Sequence, residues 1–410
     1  MRSKPPIRRN RAPGWLSRRA KLRGLALLGT ATLSLTALGL TLAGPAMADP
    51  TTSYVAVGSD TTQDVMDAIT NTLVGNAVVG SWDAINPVST TAGEIITPAK
   101  ISSAGAQTPC SFTRPNGSGQ GLTALRESIN PATTATPNLG VQPGCVDIGR
   151  SSSGPPSTNL DPAGQLIWIP FALDAVGVAT GGTTNITTAD MFTFADLQTL
   201  YDNCATVTEG GVTYNPGTAT AGQVQINLYI PQSGSGTRNF WATKIGFNGT
   251  TPPACVHDHI VAGPNANALV EEHNGLAFQS DPNGYGPFSI AQWISQRNGH
   301  NDRRHGAVLH NLDGISPFSN GDPNTGTLNT NWNANLKREV YNIIAYDRVV
   351  NTGDGNFDPV LAGIFAGTTS RVCSQSFTIR SYGFATLSAS TPDLCGSTAN
   401  SLRAFVAGTI

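Results

Sequence analysis

The apolar and polar positions of this chain alternate between patterns typical of strands and patterns typical of helices. Residues 54–57 are mostly apolar and predict a strand. A helix is predicted from Gln63 onward, because apolar residues between Val65 and Leu73 recur on one face. Two long apolar runs, 166–171 and 175–179, predict a buried strand that crosses between two parts of the molecule. This alternation predicts an α/β fold.

The same reading predicts further elements toward the C-terminus. It predicts helices at 194–201, 265–276, 289–297, 359–365 and 397–406, and strands at 224–230 and 340–346. The stretch 203–222 is rich in turn-forming residues, and 298–335 is rich in Gly, Asn and Pro, so both are expected to be loops.

The N-terminus has the pattern of an export signal. Basic residues precede an apolar run at 25–43, and Ala46-Met47-Ala48 follows as a cleavage site with small residues. We therefore expect residues 1–48 to be a signal peptide, and the mature chain to lie outside the cell, in the cell envelope or in the periplasm. Ser17-Arg18-Arg19 is a loose twin-arginine pattern, so the Sec and twin-arginine routes both stay open.

The charge of the mature chain limits its partners. Nine of the 24 Lys and Arg lie within residues 1–48, which leaves 15 basic against 26 acidic side chains, a net charge of −11. This balance argues against nucleic acid and against an anionic membrane surface. It does not exclude a small anion, because neutral N–H and O–H groups can hold one locally. About 362 residues exceed the usual size of a single core and predict two lobes.

Six cysteines follow the signal segment, and an even number in an exported protein predicts three disulfides. They are Cys110, Cys145, Cys204, Cys255, Cys373 and Cys395. Of the 15 possible pairings we favour pairing between neighbours, because each consecutive couple brackets one local segment. No CxxC spacing is present, and the six histidines, all within 257–310, match no zinc signature, so neither a metal nor a cofactor is expected.

Candidate chemistry is concentrated in four Gly/Ser loops. The most informative is 233–238, Ser-Gly-Ser-Gly-Thr-Arg, which lies between a predicted strand and a predicted helix. Such a loop directs backbone N–H groups, hydroxyls and the positive end of a helix dipole at one point, which favours an anion. Loops 58–62, 116–121 and 149–154 offer similar groups, and Asp60 is their only acidic residue. If the four loops converge, they can surround an oxyanion without a metal.

On these loops the sequence resembles the phosphate-binding proteins of ABC importers, which are type II periplasmic binding proteins. The resemblance runs through nearly all of the mature chain. It implies that Thr62 and Gln63 bind the ligand from the first loop and Ser118 from the second. From the Ser-Gly-Thr loop it implies Ser235, Gly236 and Thr237.

The resemblance also implies an architecture of two α/β lobes, joined by two crossing strands, with the ligand in the cleft between them. Lobe 1 would comprise 49–171 and 340–410, and lobe 2 would comprise 172–339.

Two positions depart from the family pattern. Ser152 stands where the family has an aspartate that accepts a proton from bound phosphate, and Pro231 stands where it has an arginine. We expect Arg150 and Arg238 to supply the positive charge instead, and we include Ser152 among the ligand-binding residues. Without the aspartate, the ligand is phosphate, another oxyanion or a larger molecule with an anionic group.

The expected function is therefore capture of phosphate or a related oxyanion by a monomeric, exported solute-binding protein, for uptake through an ABC permease. An envelope or secreted protein with this fold, a different ligand and no transport role is the alternative. A secreted hydrolase is a further alternative, but Gly234-Ser235-Gly236 is not the Gly-x-Ser-x-Gly elbow, and we assign no catalytic residue.

Overall fold

The computed structural model describes residues 51–73, 79–87, 89, 92–101, 107–132, 138–353 and 355–408. The predicted signal peptide, 1–48, lies outside the described residues. Ala48–Ile410 falls within one compact unit. In the part of the chain that is described, no helix is both long and apolar enough to cross a membrane.

The helices vary from one to four turns. They are α1 (Asp60–Leu73), α2 (Ser118–Ile129), α3 (Phe194–Tyr201), α4 (Gly236–Ile245), α5 (Leu276–Ser280), α6 (Ile290–Arg297), α7 (Tyr346–Val349), α8 (Pro359–Phe365) and α9 (Ser376–Ser381). Short 3₁₀ turns occur at Ala189–Met191, Ala334–Leu336 and Asn400–Leu402.

The strands differ more in length than the helices. They are β1 (Thr51–Thr52), β2 (Tyr54–Gly58), β3 (Val79–Ser81), β4 (Ile95–Ile96), β5 (Ala99–Ile101), β6 (Gln107–Pro109), β7 (Phe112–Thr113), β8 (Ile148–Ser151), β9 (Leu166–Gly181), β10 (Val207–Glu209), β11 (Val212–Asn215), β12 (Gln223–Gln225), β13 (Asn227–Tyr229), β14 (Val256–His257), β15 (Gly284–Ser289), β16 (Ala307–Leu309), β17 (Lys337–Ala345) and β18 (Arg403–Ala404).

The main sheet has the order β14-β13-β15-β9-β17-β8-β2-β3. The predicted α/β class is confirmed, because this mixed sheet has α2 packed on β2 and β8, and α6 packed on β9 and β15. Strand β9 is buried along all its 16 residues, as its almost continuous apolar run requires. Its first part pairs with β17, and its second part, from Val176, pairs with β15. β9 is therefore the buried strand that the two apolar runs predict, and a crossing between lobes stays a prediction.

The exchange of partners along β9 brings charged side chains into the middle of the sheet. Asp174 is fully buried just before the exchange, and Arg338 on β17 lies opposite it in the register. The carboxylate of Asp174 accepts hydrogen bonds from Arg338 at 2.9 Å and from the hydroxyl of Ser289 at 2.7 Å. The predicted lobe boundaries, 171/172 and 339/340, fall inside β9 and β17, and the division into lobes stays a prediction.

Two predicted helices are wrong. Turns replace the helix predicted at 265–276, where Asn267 and His273 adopt positive φ values of 70° and 53°, and α5 begins only at Leu276. Asparagine side chains compete with the helical backbone for hydrogen bonds, which favours turns. The helix predicted at 397–406 is a 3₁₀ turn followed by β18, because pairing with β9 overrides the local preference.

Other predictions differ in detail. Helix α1 begins at Asp60 instead of Gln63, so Thr61 and Thr62 belong to its first turn. The turn-rich stretch 203–222 contains β10 and β11, which form a small sheet with β12. Helices α3 and α8 have the predicted bounds.

Three disulfides join neighbouring cysteines along the chain, which is the pairing that the sequence favours. The pairs are Cys110–Cys145, Cys204–Cys255 and Cys373–Cys395. Each closes a local segment and so restricts the unfolded chain.

Candidate functional site

Helices α1, α2 and α4 each begin within one of the predicted Gly/Ser loops, at Asp60, Ser118 and Gly236. A side chain at Gly58 would place its Cβ 2.7 Å from the Cα of Gly121, and one at Gly117 would come within 2.5 Å of the carbonyl oxygen of Gly234. The N–H of Gly119 donates to that same carbonyl at 3.1 Å. The first, second and fourth loops therefore meet through backbone contacts that only glycine permits.

The third loop joins the same cluster through Ser152. Its N–H donates to Ser118 Oγ at 3.0 Å, and the two hydroxyl oxygens lie 3.2 Å apart. A Cβ at Gly236 would lie 2.3 Å from both of these oxygens. The four loops thus converge at one place, which we call the loop cluster: 58–62, 116–121, 149–154 and 233–238.

Arg150 supports the first loop instead of facing a ligand. Its guanidinium is fully buried and donates to the carbonyl oxygens of Ala56, Gly58, Ser59 and Trp82 and to the hydroxyl of Ser81. These bonds use all five N–H groups of an arginine side chain. The expectation that Arg150 supplies positive charge directly to a ligand is therefore corrected, and its role is to position the loop.

Arg238 is also engaged elsewhere. Its side chain donates to the carbonyl oxygens of Gly249 and Pro231, at 2.6 and 3.1 Å, and forms an ion pair with Asp258 at 2.8 Å. Its backbone N–H, in contrast, donates to Ser235 Oγ at 2.9 Å and so caps α4. The side chain of Arg238 is thus not the cation of the loop cluster.

That cation is Arg338, which the sequence analysis missed. Its Nη2 donates to Thr237 Oγ1 at 2.9 Å and lies 3.5 Å from Thr61 Oγ1. The buried Nη1 finds no hydrogen-bond partner among the described residues. In the sequence, Lys337-Arg338-Glu339 has the composition of an exposed strand end, and no local signal places Arg338 beside the loops.

A carboxylate already lies at the N-terminus of α4. Oε1 of Glu272, a fully buried residue, accepts hydrogen bonds from the hydroxyl of Ser235 and, at 2.7 Å, from the N–H of Thr237. Its Oε2 is buried and has no partner within the described chain. Ser235 and Thr237, which the resemblance assigns to a ligand, therefore hold a side chain of the protein itself, and no local sequence signal places Glu272 there.

Thr61 connects α1 to His273, the residue after Glu272. Thr61 Oγ1 and His273 Nε2 lie 2.8 Å apart, and the N–H of Ser289 donates to Nδ1 at 3.3 Å. Nδ1 is thus an acceptor, so Nε2 carries the proton and the hydroxyl hydrogen of Thr61 stays available. Burial, reinforced by the nearby cations Arg338 and Arg303, lowers the pKa of His273 well below its usual range, which keeps the ring neutral.

Thr62 and Gln63, the two residues that the resemblance assigns to a ligand at the first loop, differ from each other. The hydroxyl of Thr62 is buried and has no hydrogen-bond partner in the described ranges. The side chain of Gln63 accepts from the N–H of Ala84 at 2.8 Å and so anchors a neighbouring segment. The carboxyl group of Asp60 is neutral at low pH, because burial raises its pKa to about 7. The guanidinium of Arg303, 3.0 Å away, opposes this rise only in part.

No protein-family model matches the sequence. No curated protein matches it either. Among solved structures, the chain is similar to an ABC-type phosphate transport receptor from Vibrio cholerae, at 14% identity and a TM-score of 0.47, over 82% of this chain and all of that one. It is also similar to a phosphate ABC transporter substrate-binding protein with bound phosphate from Clostridium perfringens. The identity there is 13% and the TM-score is 0.44, over 82% of this chain and all of that one.

A third similar structure is a possible phosphate-binding protein from Planctomyces limnophilus. It shares 9% identity at a TM-score of 0.37, over 84% of this chain and 95% of that one. All three names belong to the group that the loop motifs resemble. At these identities and TM-scores the similarities carry no argument about ligand or mechanism, which rest on the loop cluster.

Proposed function

We propose that this chain is an exported solute-binding protein that captures phosphate or a related oxyanion at the loop cluster. One observation carries the proposal: the buried carboxylate of Glu272 accepts hydrogen bonds from the hydroxyl of Ser235 and from the N–H of Thr237. It supports the view that the N-terminus of α4 stabilises an anion of the size of a carboxylate. The protein's own anion therefore stands in for part of the ligand.

Two further buried groups, one on the first loop and one on Arg338, add to the capacity for an anion. The hydroxyl of Thr62 and Nη1 of Arg338 are buried donors that lack partners among the described residues. A buried donor without a partner costs about 1–3 kcal/mol, and a hydrogen bond to a charged group contributes about 1.5–3 kcal/mol. An oxyanion that replaces the carboxylate of Glu272 and also engages these groups gains bonds that the carboxylate alone does not make.

We infer the cellular role from the predicted export signal and from this chemistry. A protein that is secreted and holds an oxyanion reversibly suits delivery to an ABC permease, and we propose such a permease as its partner.

Titration calorimetry of the secreted protein with phosphate, arsenate and sulfate tests the proposal. We expect saturable binding of phosphate, and its loss in Thr237→Val, which removes the hydroxyl beside Arg338. Thr199→Val is the matched control, because that hydroxyl bonds only to the carbonyl of Ala195 on α3, at 3.0 Å. Absence of binding by all three oxyanions would contradict the proposal.

A further inference from the structure

A cavity of about 620 Å³ lies beside the loop cluster. It is bounded by the continuation of the third loop (153–158), by one side of α4, by the first half of β17 and by the segment 392–393. An inorganic phosphate ion fills only a small part of such a volume, which is in the range of sites for organic ligands of about 300–1,000 Å³.

The cavity shares a wall with the loop cluster. Arg338 lines it and also donates to Thr237 Oγ1 at 2.9 Å. Phe240, one helical turn after Thr237, lines the cavity as well, and its ring centroid lies 5.4 Å from the guanidinium carbon of Arg338. Ser153, which follows Ser152 directly, is a third lining residue. Arg338, Phe240 and Ser153 therefore place one wall of the cavity directly against the loop cluster.

The lining favours a ring that carries polar substituents. Phe240, Tyr341 and the consecutive prolines Pro155 and Pro156 supply flat apolar surface, and Lys244 adds positive charge at the exposed side of α4. Two acidic side chains, Glu339 and Asp393, also line the cavity, and Glu339 accepts from the hydroxyl of Tyr341 at 3.2 Å and from the N–H of Asp393 at 2.9 Å. Burial also raises the pKa of Glu339.

We infer that the preferred ligand is a phosphate monoester with a cyclic organic group, whose phosphoryl group lies at the loop cluster and whose ring lies in this cavity against Phe240. The inference rests on the proposed function, because it assigns the phosphoryl group to the same donors. It extends that function from an inorganic ion to a class of organic ligands.

Calorimetry with inorganic phosphate and with phenyl phosphate tests the inference. The wild-type protein is expected to bind phenyl phosphate at least about tenfold more tightly, a difference of about 1.4 kcal/mol. Ser157→Trp places a large side chain in the cavity from an exposed position, so it should remove this preference and leave the affinity for inorganic phosphate unchanged. Phe240→Leu should reduce the preference by shortening the apolar wall.

The outcomes separate the two proposals. Equal or weaker binding of phenyl phosphate by the wild-type protein, together with clear binding of inorganic phosphate, would overturn the inference and leave the proposed function intact. A preference that persists in Ser157→Trp would overturn the placement of the ring in this cavity. Failure of both ligands to bind would reject the proposed function itself.

Discussion

The backbone N–H of Thr237 donates to the carboxylate of Glu272 at 2.7 Å, at the first turn of α4. The hydroxyl of Ser235 donates to the same oxygen. Both donors belong to the loop that resembles a phosphate-binding Ser-Gly-Thr motif. Under the proposed function, we therefore expect an external anion to compete there with a buried side chain of the protein, so that Glu272 sets the affinity.

Glu272→Gln is expected to increase the affinity for phosphate about tenfold, because the amide keeps the size of the side chain and removes its negative charge. Calorimetry measures the change. Glu271→Gln is the matched control: Glu271 is the preceding carboxylate and accepts from Asn116 of the second loop at 3.2 Å instead of from the donors at the first turn of α4. A loss of phosphate binding in Glu272→Gln would show that the carboxylate assists the ligand instead of competing with it.

Thr62→Val is expected to lower the affinity for phosphate by about tenfold or more, the equivalent of one hydrogen bond to a charged ligand. Its unfolding free energy should stay the same or rise, because the hydroxyl that is removed is buried without a partner in the described chain. Urea denaturation and calorimetry together give both quantities.

Thr61→Val is the control for that variant. In the wild-type protein the hydroxyl of Thr61 bonds to His273 at 2.8 Å, so removal of this hydroxyl should lower the free energy of unfolding by about 1 kcal/mol. Unchanged phosphate affinity in Thr62→Val would contradict the assignment of Thr62 to the site.

Arg338→Lys and Arg238→Lys are expected to differ in their effect on the affinity for phosphate. Lysine keeps the charge and loses the planar fork, so Arg338→Lys gives up the paired contacts to Asp174 and Thr237, and phosphate binds about tenfold more weakly. Arg238→Lys disturbs only the contacts to Asp258 and to two carbonyl groups, so the affinity should change less than about twofold. The reverse order of effects would restore Arg238 as the cation of the site.

How far the site follows from sequence depends on the kind of signal. Glycine and serine between a strand and a helix are local signals, and the loops that begin α2 and α4 meet as their motifs suggest. Glu272 and Arg338 have no such signal, because each reaches the cluster only through the path of the folded chain. Arg150 and Arg238 were assigned by proximity in sequence, and the fold gives both side chains other acceptors.

The same distinction, between local sequence signals and contacts that form only in the folded chain, applies to the secondary structure. Strand β9 was predictable because a strand that is buried on both faces needs a continuous apolar run. The turns of the segment 265–275 were not predictable, since they depend on asparagines and on the positive φ of His273. That backbone conformation also sets the position of the preceding residue, Glu272. The short strand β18 forms only because β9 offers an edge at Leu166 and Ile167.

Stability should fall as the pH rises from about 4 to 7, in part because of Asp60. Its pKa is raised by burial from 3.8 to about 7, so the folded chain holds a proton that the unfolded chain releases in this window. The stabilisation is complete below pH 3.8 and is lost as the pH passes through about 7, by up to about 1.4 kcal/mol per unit.

Asp60→Asn isolates this contribution, because asparagine does not titrate. Thermal or urea unfolding at pH 4.5 and pH 7.5 should show a smaller loss of stability in the variant than in the wild-type protein. Identical pH dependence of the two proteins would contradict the assignment to Asp60.

A crystal structure of the secreted protein with phosphate tests the central claim most directly. The account predicts an oxyanion within hydrogen-bond distance of Ser235 Oγ, the N–H of Thr237 and Thr62 Oγ1, with the carboxylate of Glu272 moved off these donors. A structure in which phosphate binds elsewhere while Glu272 stays bonded to Ser235 and Thr237 would contradict it.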